Sequence, residues 1–162
     1  MTSPAANSLR VAPEAFDSVD VQRLVQEQRR ELTSRYTTPG APPPLASDFV
    51  EPHGVFLVGR LNGEPITIGG IRPLEGATAE IRRMYTVPTH RQRGHGYALL
   101  RELERHAVRL GYAAVRLETG DQQPDAVALY SAAGYRVIPC YGEFNDVESI
   151  CMEKRADFQD AS

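Results

Sequence analysis

The chain has 162 residues, 41% of them hydrophobic and 24% charged, with a formal charge of −3. That length suits one compact domain with a sizeable core, and the composition excludes collagen-like and wholly disordered chains. A mildly acidic balance supplies no overall basic field for coating nucleic acid. Lys154 is the sole lysine among 18 basic residues, a bias that reads first as genomic base composition. No run of about eighteen apolar residues marks a membrane span, and Met1 to Arg10 lacks the hydrophobic segment of an export signal. A cytoplasmic protein is the expectation. Cys140 and Cys151 form no Cys-x-x-Cys pair and no zinc-spaced cluster. Without an export signal a disulfide between them is not expected, and both read as strand residues.

Elements follow in chain order. A short strand is predicted at Leu9 to Val11. Asp17 or Asp20 caps a helix with the apolar stripe Val21, Leu24, Val25 and Leu32, whose other face is Gln, Glu and Arg and which fades near Tyr36. The stretch from Thr37 to Asp48, with Pro42-Pro43-Pro44, reads as a surface loop. Gly54 to Arg60 is a buried strand, Asn62-Gly63 a hairpin turn, and Pro65 to Ile71 the return strand. Pro73 to Thr78 reads as a turn and Ala79 to Val87 as a third strand. A helix from about Gly96 to Leu110 carries Leu99, Leu100, Leu103 and Ala107 on one face and ends at Gly111. Then come a strand at Ala113 to Glu118, a helix opened by Pro124 and closed by Gly134, and strands at Tyr135 to Tyr141 and Val147 to Glu153. The order specifies an α/β (α+β) chain with a mixed sheet, read as a single domain over 1–162 with the segments at about 1–8 and 156–162 flexible.

The most informative stretch is a strand ending at Pro88, a polar loop with Gly94 and Gly96, and a helix that begins at once. Glycines let backbone N–H groups approach a ligand, and a helix start adds unpaired donors and a positive dipole end, so an anionic phosphate fits there. A P-loop would need Gly-Lys-Ser/Thr, and no lysine stands in this loop. The dinucleotide fingerprint would need a small residue where Leu99 stands. What remains is Arg/Gln-x-x-Gly-x-Gly/Ala, filled by Arg91, Gly94 and Gly96. Upstream stands Glu80-Ile81-Arg82-Arg83-Met84-Tyr85-Thr86-Val87-Pro88; downstream, Ala126-Val127-Ala128-Leu129-Tyr130-Ser131-Ala132-Ala133-Gly134-Tyr135. In these three motifs, their order and their spacing, the chain resembles the GNAT superfamily of acetyl-CoA-dependent N-acetyltransferases, most closely over Ala79 to Tyr141.

The resemblance implies a mostly antiparallel mixed sheet of six to seven strands, flanked by helices and splayed between the strands at about 79–87 and 113–118. It implies acetyl-CoA as co-substrate, held by Met84, Tyr85 and Thr86 along the pantetheine arm. Arg91, Gln92, Arg93, Gly94, His95, Gly96 and Tyr97 would receive the pyrophosphate, with Ala126 a further contact. A backbone amide, that of Thr86, would polarise the thioester carbonyl. Tyr130 occupies the position of the residue that protonates the departing thiolate; phenol and thiol have comparable reference pKa values, about 10 and 8.5. Glu80 is the candidate general base, facing the same side as Thr86 in regular alternation, or else a strand residue paired with Arg82 or Arg60. Glu118 is the reserve. The chain departs from the family pattern in having Thr86 where valine is common and no asparagine before the last helix, Gln122 or Gln123 being nearest. Tyr36, the proline loop and the Tyr141 to Asn145 turn would wall an acceptor site for a small-molecule or peptide amine. No metal, nucleic-acid or membrane partner is implied, and a homodimer is left open. The rival on the same fold is a non-catalytic acyl-CoA-binding or regulatory module. Residues 79 to 110 hold seven arginines against three glutamates, a local +4 that leaves −7 for the rest. The excess is placed to favour an anionic coenzyme, and the remainder leans toward a cationic acceptor.

Overall fold

The computed structural model describes residues 8–36, 43–142 and 149–155. Thr37 to Pro42, most of the turn after Tyr141, and the two ends of the chain lie outside the described residues. Seven strands form one sheet in the order β1-β2-β3-β4-β5-β7-β6: β1 (Arg10–Pro13), β2 (Val55–Leu61), β3 (Glu64–Glu75), β4 (Thr78–Thr86), β5 (Ala114–Gly120), β6 (Arg136–Ile138) and β7 (Ser149–Arg155). The described helices are α1 (Val19–Arg35), α2 (His95–Arg109) and α3 (Pro124–Ala132). Every adjacent pair is antiparallel except β4 with β5.

Several elements differ from the sequence expectation, each for a local reason. Ser18, rather than Asp17 or Asp20, caps α1: its Oγ accepts the Val21 N–H at 3.2 Å. Asp20 instead takes Arg60 at 2.9 Å. Strand β3 runs on through Pro73 to Glu75, because its pairing with β2 ends at Val55↔Ile71 and a proline beyond that point faces a free edge. Strand β6 is only three residues long. Cys140, two residues past it, is disulfide-bonded to Cys151 of β7, with Cα atoms 5.1 Å apart. The expectation of two unbridged strand cysteines rested on cellular compartment. The geometry answers to the ladder Ile138↔Cys151, which brings the two within bridging reach.

The sheet buries both faces. On one face Leu57, Ile71, Ala79, Ile81, Val115 and Leu117 of the sheet pack with Leu99, Leu100 and Leu103 of α2 and Tyr130 of α3. On the other face Phe56, Ile68 and Tyr85 of the sheet, with Phe49, pack with Val21, Leu24 and Val25 of α1. The alternation along β4 slips once. Arg82 pairs with Gly70 and Tyr85 with Ile68, so two residues of β4 face the single Gly69. Arg83, in this bulge, has φ 59°. The extra residue turns the rest of the strand over. Glu80 and Arg82 therefore lie on the α1 face, whereas Thr86 lies on the α2 face beside Thr67, with their hydroxyls 2.9 Å apart. The expected common side for Glu80 and Thr86 does not hold.

Candidate active site

The parallel ladder between β4 and β5 is three residue pairs long, Thr78↔Ala114, Ala79↔Val115 and Glu80↔Arg116. Beyond Glu80 the strands part. β5 keeps its partner β7 to Gly120, but β4 continues to Thr86 with the edge toward β5 unpaired. The splay opens into a cleft of about 630 Å³. Its floor is Met84 to Thr86, one end is the glycine loop with the first turn of α2, and the far wall is Gln122 to Ala126 with Leu129 and Tyr130 of α3. Gly94 stands at the head of α2 with φ 84°, a conformation that disfavours any side chain, and no side chain caps the helix. Pro88 to His90 form a 3-10 turn, and Gln92 also holds a positive φ of 62°. The loop thus aims the first N–H groups of a fifteen-residue helix into the cleft.

Of the residues expected to touch a coenzyme, Met84, Tyr85, Thr86, Arg91, Gln92, Gly94, His95, Gly96, Tyr97 and Ala126 line this cleft, and Arg93 does not. Arg91 is engaged within the protein: Nε donates to the Thr86 carbonyl at 2.8 Å, Nη2 to Glu31 at 2.8 Å, and the guanidinium lies over the Tyr85 ring. It braces the loop. Arg82, Arg101 and Arg105 meet the three glutamates already counted in the stretch, and Arg109, like Arg91, meets a carboxylate outside it, Glu51, so half of the local excess of four is matched. Backbone donors, more than arginine charge, face the cleft. His95 titrates below its ordinary value through burial and the nearby His90 and Arg93.

Tyr130 is buried, lines the cleft, and its hydroxyl has no hydrogen bond among the described residues. Burial raises its pKa well above the ordinary phenol. Its ring packs edge-on against Tyr135, 5.8 Å between centroids. Tyr135 donates to the buried Glu104 at 3.0 Å, and Lys154 bonds both Glu104 oxygens and the Ala133 carbonyl. The sole lysine thus fastens α2, α3 and β7 behind Tyr130.

Glu80 is outside the cleft lining. Its Oε1 accepts from Arg72 at 2.9 Å, with Arg82 at 3.7 Å, and its Oε2 accepts the Tyr141 hydroxyl at 2.9 Å. Arg60 is not a partner; it serves Glu14 and Asp20. Burial, then the Glu80 carboxylate, pushes the Tyr141 phenol up. Glu118, on the same face of β5, is likewise outside the cleft lining; it is exposed, and one oxygen accepts the Ser149 hydroxyl at 2.5 Å.

The roof of the cleft was not foreseen. Gln28, Glu31, Leu32 and Arg35 of α1 line it, and their i, i+3, i+4, i+7 spacing was the available signal, hidden because the stripe is mostly polar. The tie is at Tyr36, whose hydroxyl accepts the Gln122 N–H at 2.8 Å. A Cβ on Gly120 would collide with that hydroxyl, so glycine is what lets α1 close over the splay.

A family model described as acetyltransferase (GNAT) family matches residues 21–135. The chain belongs to the GNAT acetyltransferase family. An IAA acetyltransferase of Azospirillum brasilense is 32% identical over 136 residues, 83% of this chain and 89% of that one. A solved structure from Klebsiella pneumoniae superposes with a TM-score of 0.80 at 26% identity, over 93% of this chain and 99% of that one. The PaiA N-acetyltransferase of Thermoplasma acidophilum, solved with coenzyme A, has a TM-score of 0.66 at 18% identity, over 91% and 99%. The splayed seven-stranded sheet is the GNAT fold. Among the described residues no cluster of metal-ligating side chains occurs, and no helix is long and apolar enough to cross a membrane.

Proposed function

We propose that the protein transfers an acetyl group from acetyl-CoA to a primary amine of a small molecule or peptide, directly, in a ternary complex. The observation that carries this is one continuous run of chemistry: an unpaired β4 edge leads into the uncapped, glycine-headed N-terminus of α2. An extended amide-bearing arm can pair with such an edge, and a pyrophosphate suits such a helix start. When bound, the coenzyme supplies an activated thioester. The chain's residues position it, stabilise the charge that develops, and handle two protons. A carbon–nitrogen bond forms as the carbon–sulfur bond breaks; the amine nitrogen gives up a proton and the sulfur takes one.

The Thr86 amide is the proposed donor to the carbonyl oxygen. Tyr130 is the proposed donor to the departing sulfur. Burial holds the phenol protonated beyond its ordinary range, which by itself would oppose transfer to a thiolate. A thiolate leaving beside the buried Tyr130 ring is desolvated too, and its own affinity for a proton rises with it. Glu80, with both oxygens occupied, is assigned to holding Tyr141 and Arg72. Glu118, with one oxygen engaged by Ser149, is the carboxylate we assign to collecting the amine proton through water. Thiol release from acetyl-CoA over a panel of amines tests the assignment. Amine-dependent release that collapses in Tyr130→Phe, with coenzyme binding kept, is the expected result. Release unchanged in that variant removes Tyr130 from the acid role, and binding without release under any amine favours a non-catalytic module.

A further inference from the structure

Glu80 and Glu118, the two carboxylates beside the splay, are both held by residues that the Cys140–Cys151 bridge fastens. β6 pairs with β7 from Arg136↔Glu153 to Ile138↔Cys151, and past Ile138 the ladder stops among the described residues. The next tie is covalent, Cys140 to Cys151. Tyr141 follows at once. Its hydroxyl donates to Glu80 Oε2 at 2.9 Å, and the Arg116 guanidinium lies over its ring, 5.5 Å from the centroid. On the other side of the bridge, Cys151 stands directly opposite Glu118 in the β5–β7 ladder, and Ser149, two residues earlier, gives that carboxylate its hydroxyl. Opposed residues of an antiparallel pair carry their side chains on one face, with Cβ atoms about 5 Å apart. The bridge therefore stands against Glu118. The Cys140 sulfur also lies 3.7 Å from the Ser149 carbonyl oxygen.

Cys151 is fully buried, whereas Cys140 is exposed. A small dithiol has access to the outer sulfur. Its thiolate attacks Cys140 Sγ, the S–S bond breaks, and Cys151 leaves as a thiol. The second dithiol sulfur then displaces Cys140, so the reagent ends as its own disulfide and the protein gains two electrons and two protons as two thiols. Once the bridge is open, the chain beyond the three-residue β6 loses its covalent tie to β7. Cys140, Tyr141, Ser149 and Cys151 are all outside the lining of the coenzyme cleft, as are both glutamates.

We propose that Cys140 and Cys151 are a positioning pair for acetyl transfer. Closed, their disulfide sets Glu118 and Tyr141 beside the splay; opened by a dithiol, it slows transfer and leaves coenzyme binding intact. The assignment rests on the acetyl-transfer function above and adds a redox dependence to it. Neither sulfur takes part in the bond changes of that reaction.

The test compares protein treated with glutathione disulfide, protein reduced with dithiothreitol and desalted, and Cys140→Ser. Phenethylamine, spermidine, L-lysine and trialanine serve as acceptors, and transfer is followed by loss of thioester absorbance. Thiols counted after denaturation should rise from none to two on reduction. The kcat should fall about 10- to 100-fold, the cost of misplacing a group at the reacting centre, and the acidic limb of the pH–rate profile should move. The acetyl-CoA dissociation constant should stay within about twofold, as the separate cleft requires. Reoxidation should restore the rate, and Cys140→Ser should stay at the reduced level whatever the treatment. Two thiols after glutathione disulfide, a rate indifferent to reduction, full activity in Cys140→Ser, or a loss of acetyl-CoA affinity in step with the rate overturns the proposal. Oxidised protein that fails to bind acetyl-CoA, or binds it and acetylates none of the four, brings down acetyl transfer itself; transfer that ignores the state of the bridge brings down only the positioning pair.

Discussion

Tyr130 combines a buried ring, a hydroxyl with no hydrogen bond among the described residues, and a rigid backing through Tyr135, Glu104 and Lys154. A general acid of this kind contributes about a hundredfold or more, so Tyr130→Phe should lower kcat by ~100-fold while the acetyl-CoA dissociation constant changes little. The two glutamates separate by the same logic. Glu118→Gln should lower kcat and erase the acidic limb of its pH profile. Glu80→Gln should leave that limb in place and lower the melting temperature, because Arg72 and Arg82 would lose the carboxylate that compensates them. A pH–rate profile of both variants decides the assignment, and loss of the limb in Glu80→Gln alone would reverse it.

Among elements, the head of α2 and the bulge of β4 do the positioning. Gly94→Ala would force an L side chain to φ 84° at a cost of about 1 kcal/mol and set a methyl group at the proposed phosphate site. Titration calorimetry should show coenzyme affinity falling by more than the loss of fold stability accounts for. Lys154→Met should destabilise by about 1 to 3 kcal/mol in urea unfolding, since it takes from the buried Glu104 its nearest cation and leaves Arg101 at 3.7 Å and the Tyr135 hydroxyl. Adding Glu104→Leu should return part of that loss. These elements were unequally legible in the sequence. The glycine loop, α2 and α3 were readable because their punctuation is local: Gly94, Gly111, Pro124 and Gly134. The bulge was not, because Arg83 is an ordinary residue by propensity and its φ is imposed by pairing with β3 around Gly69. The error it caused, placing Glu80 beside Thr86, was one residue in register and a whole face in space.

At the scale of the molecule, charge is arranged in pairs rather than fields. The arginines of α2 are matched on or near the helix, and Glu31 and Glu51 from outside the stretch take Arg91 and Arg109, so the basic excess counted along the chain is halved. The roof formed by α1 depends on contacts between distant segments, and the disulfide, across 11 residues, on the pairing of β6 with β7, neither of which a single sequence displays. The balance of pairs sets a pH dependence. His95 and His106 titrate below the ordinary 6.5, chiefly through burial, so the unfolded chain binds their protons more readily and stability falls as pH drops below about 6.5. Glu14 and Glu153 are held below 4.5 chiefly by Arg60 and Arg116, which adds a second loss as they protonate at lower pH. Melting temperature should therefore be level above pH 7 and decline in two stages below it, with His95→Asn and His106→Asn flattening the first. The claim on which the rest depends is that the splay and the glycine-headed helix form an acetyl-CoA site. Thermal unfolding of the whole chain with saturating acetyl-CoA, ATP or NAD measures it most directly. Acetyl-CoA should raise the midpoint well above the other two. No shift with acetyl-CoA, or a larger one with either nucleotide, would contradict it.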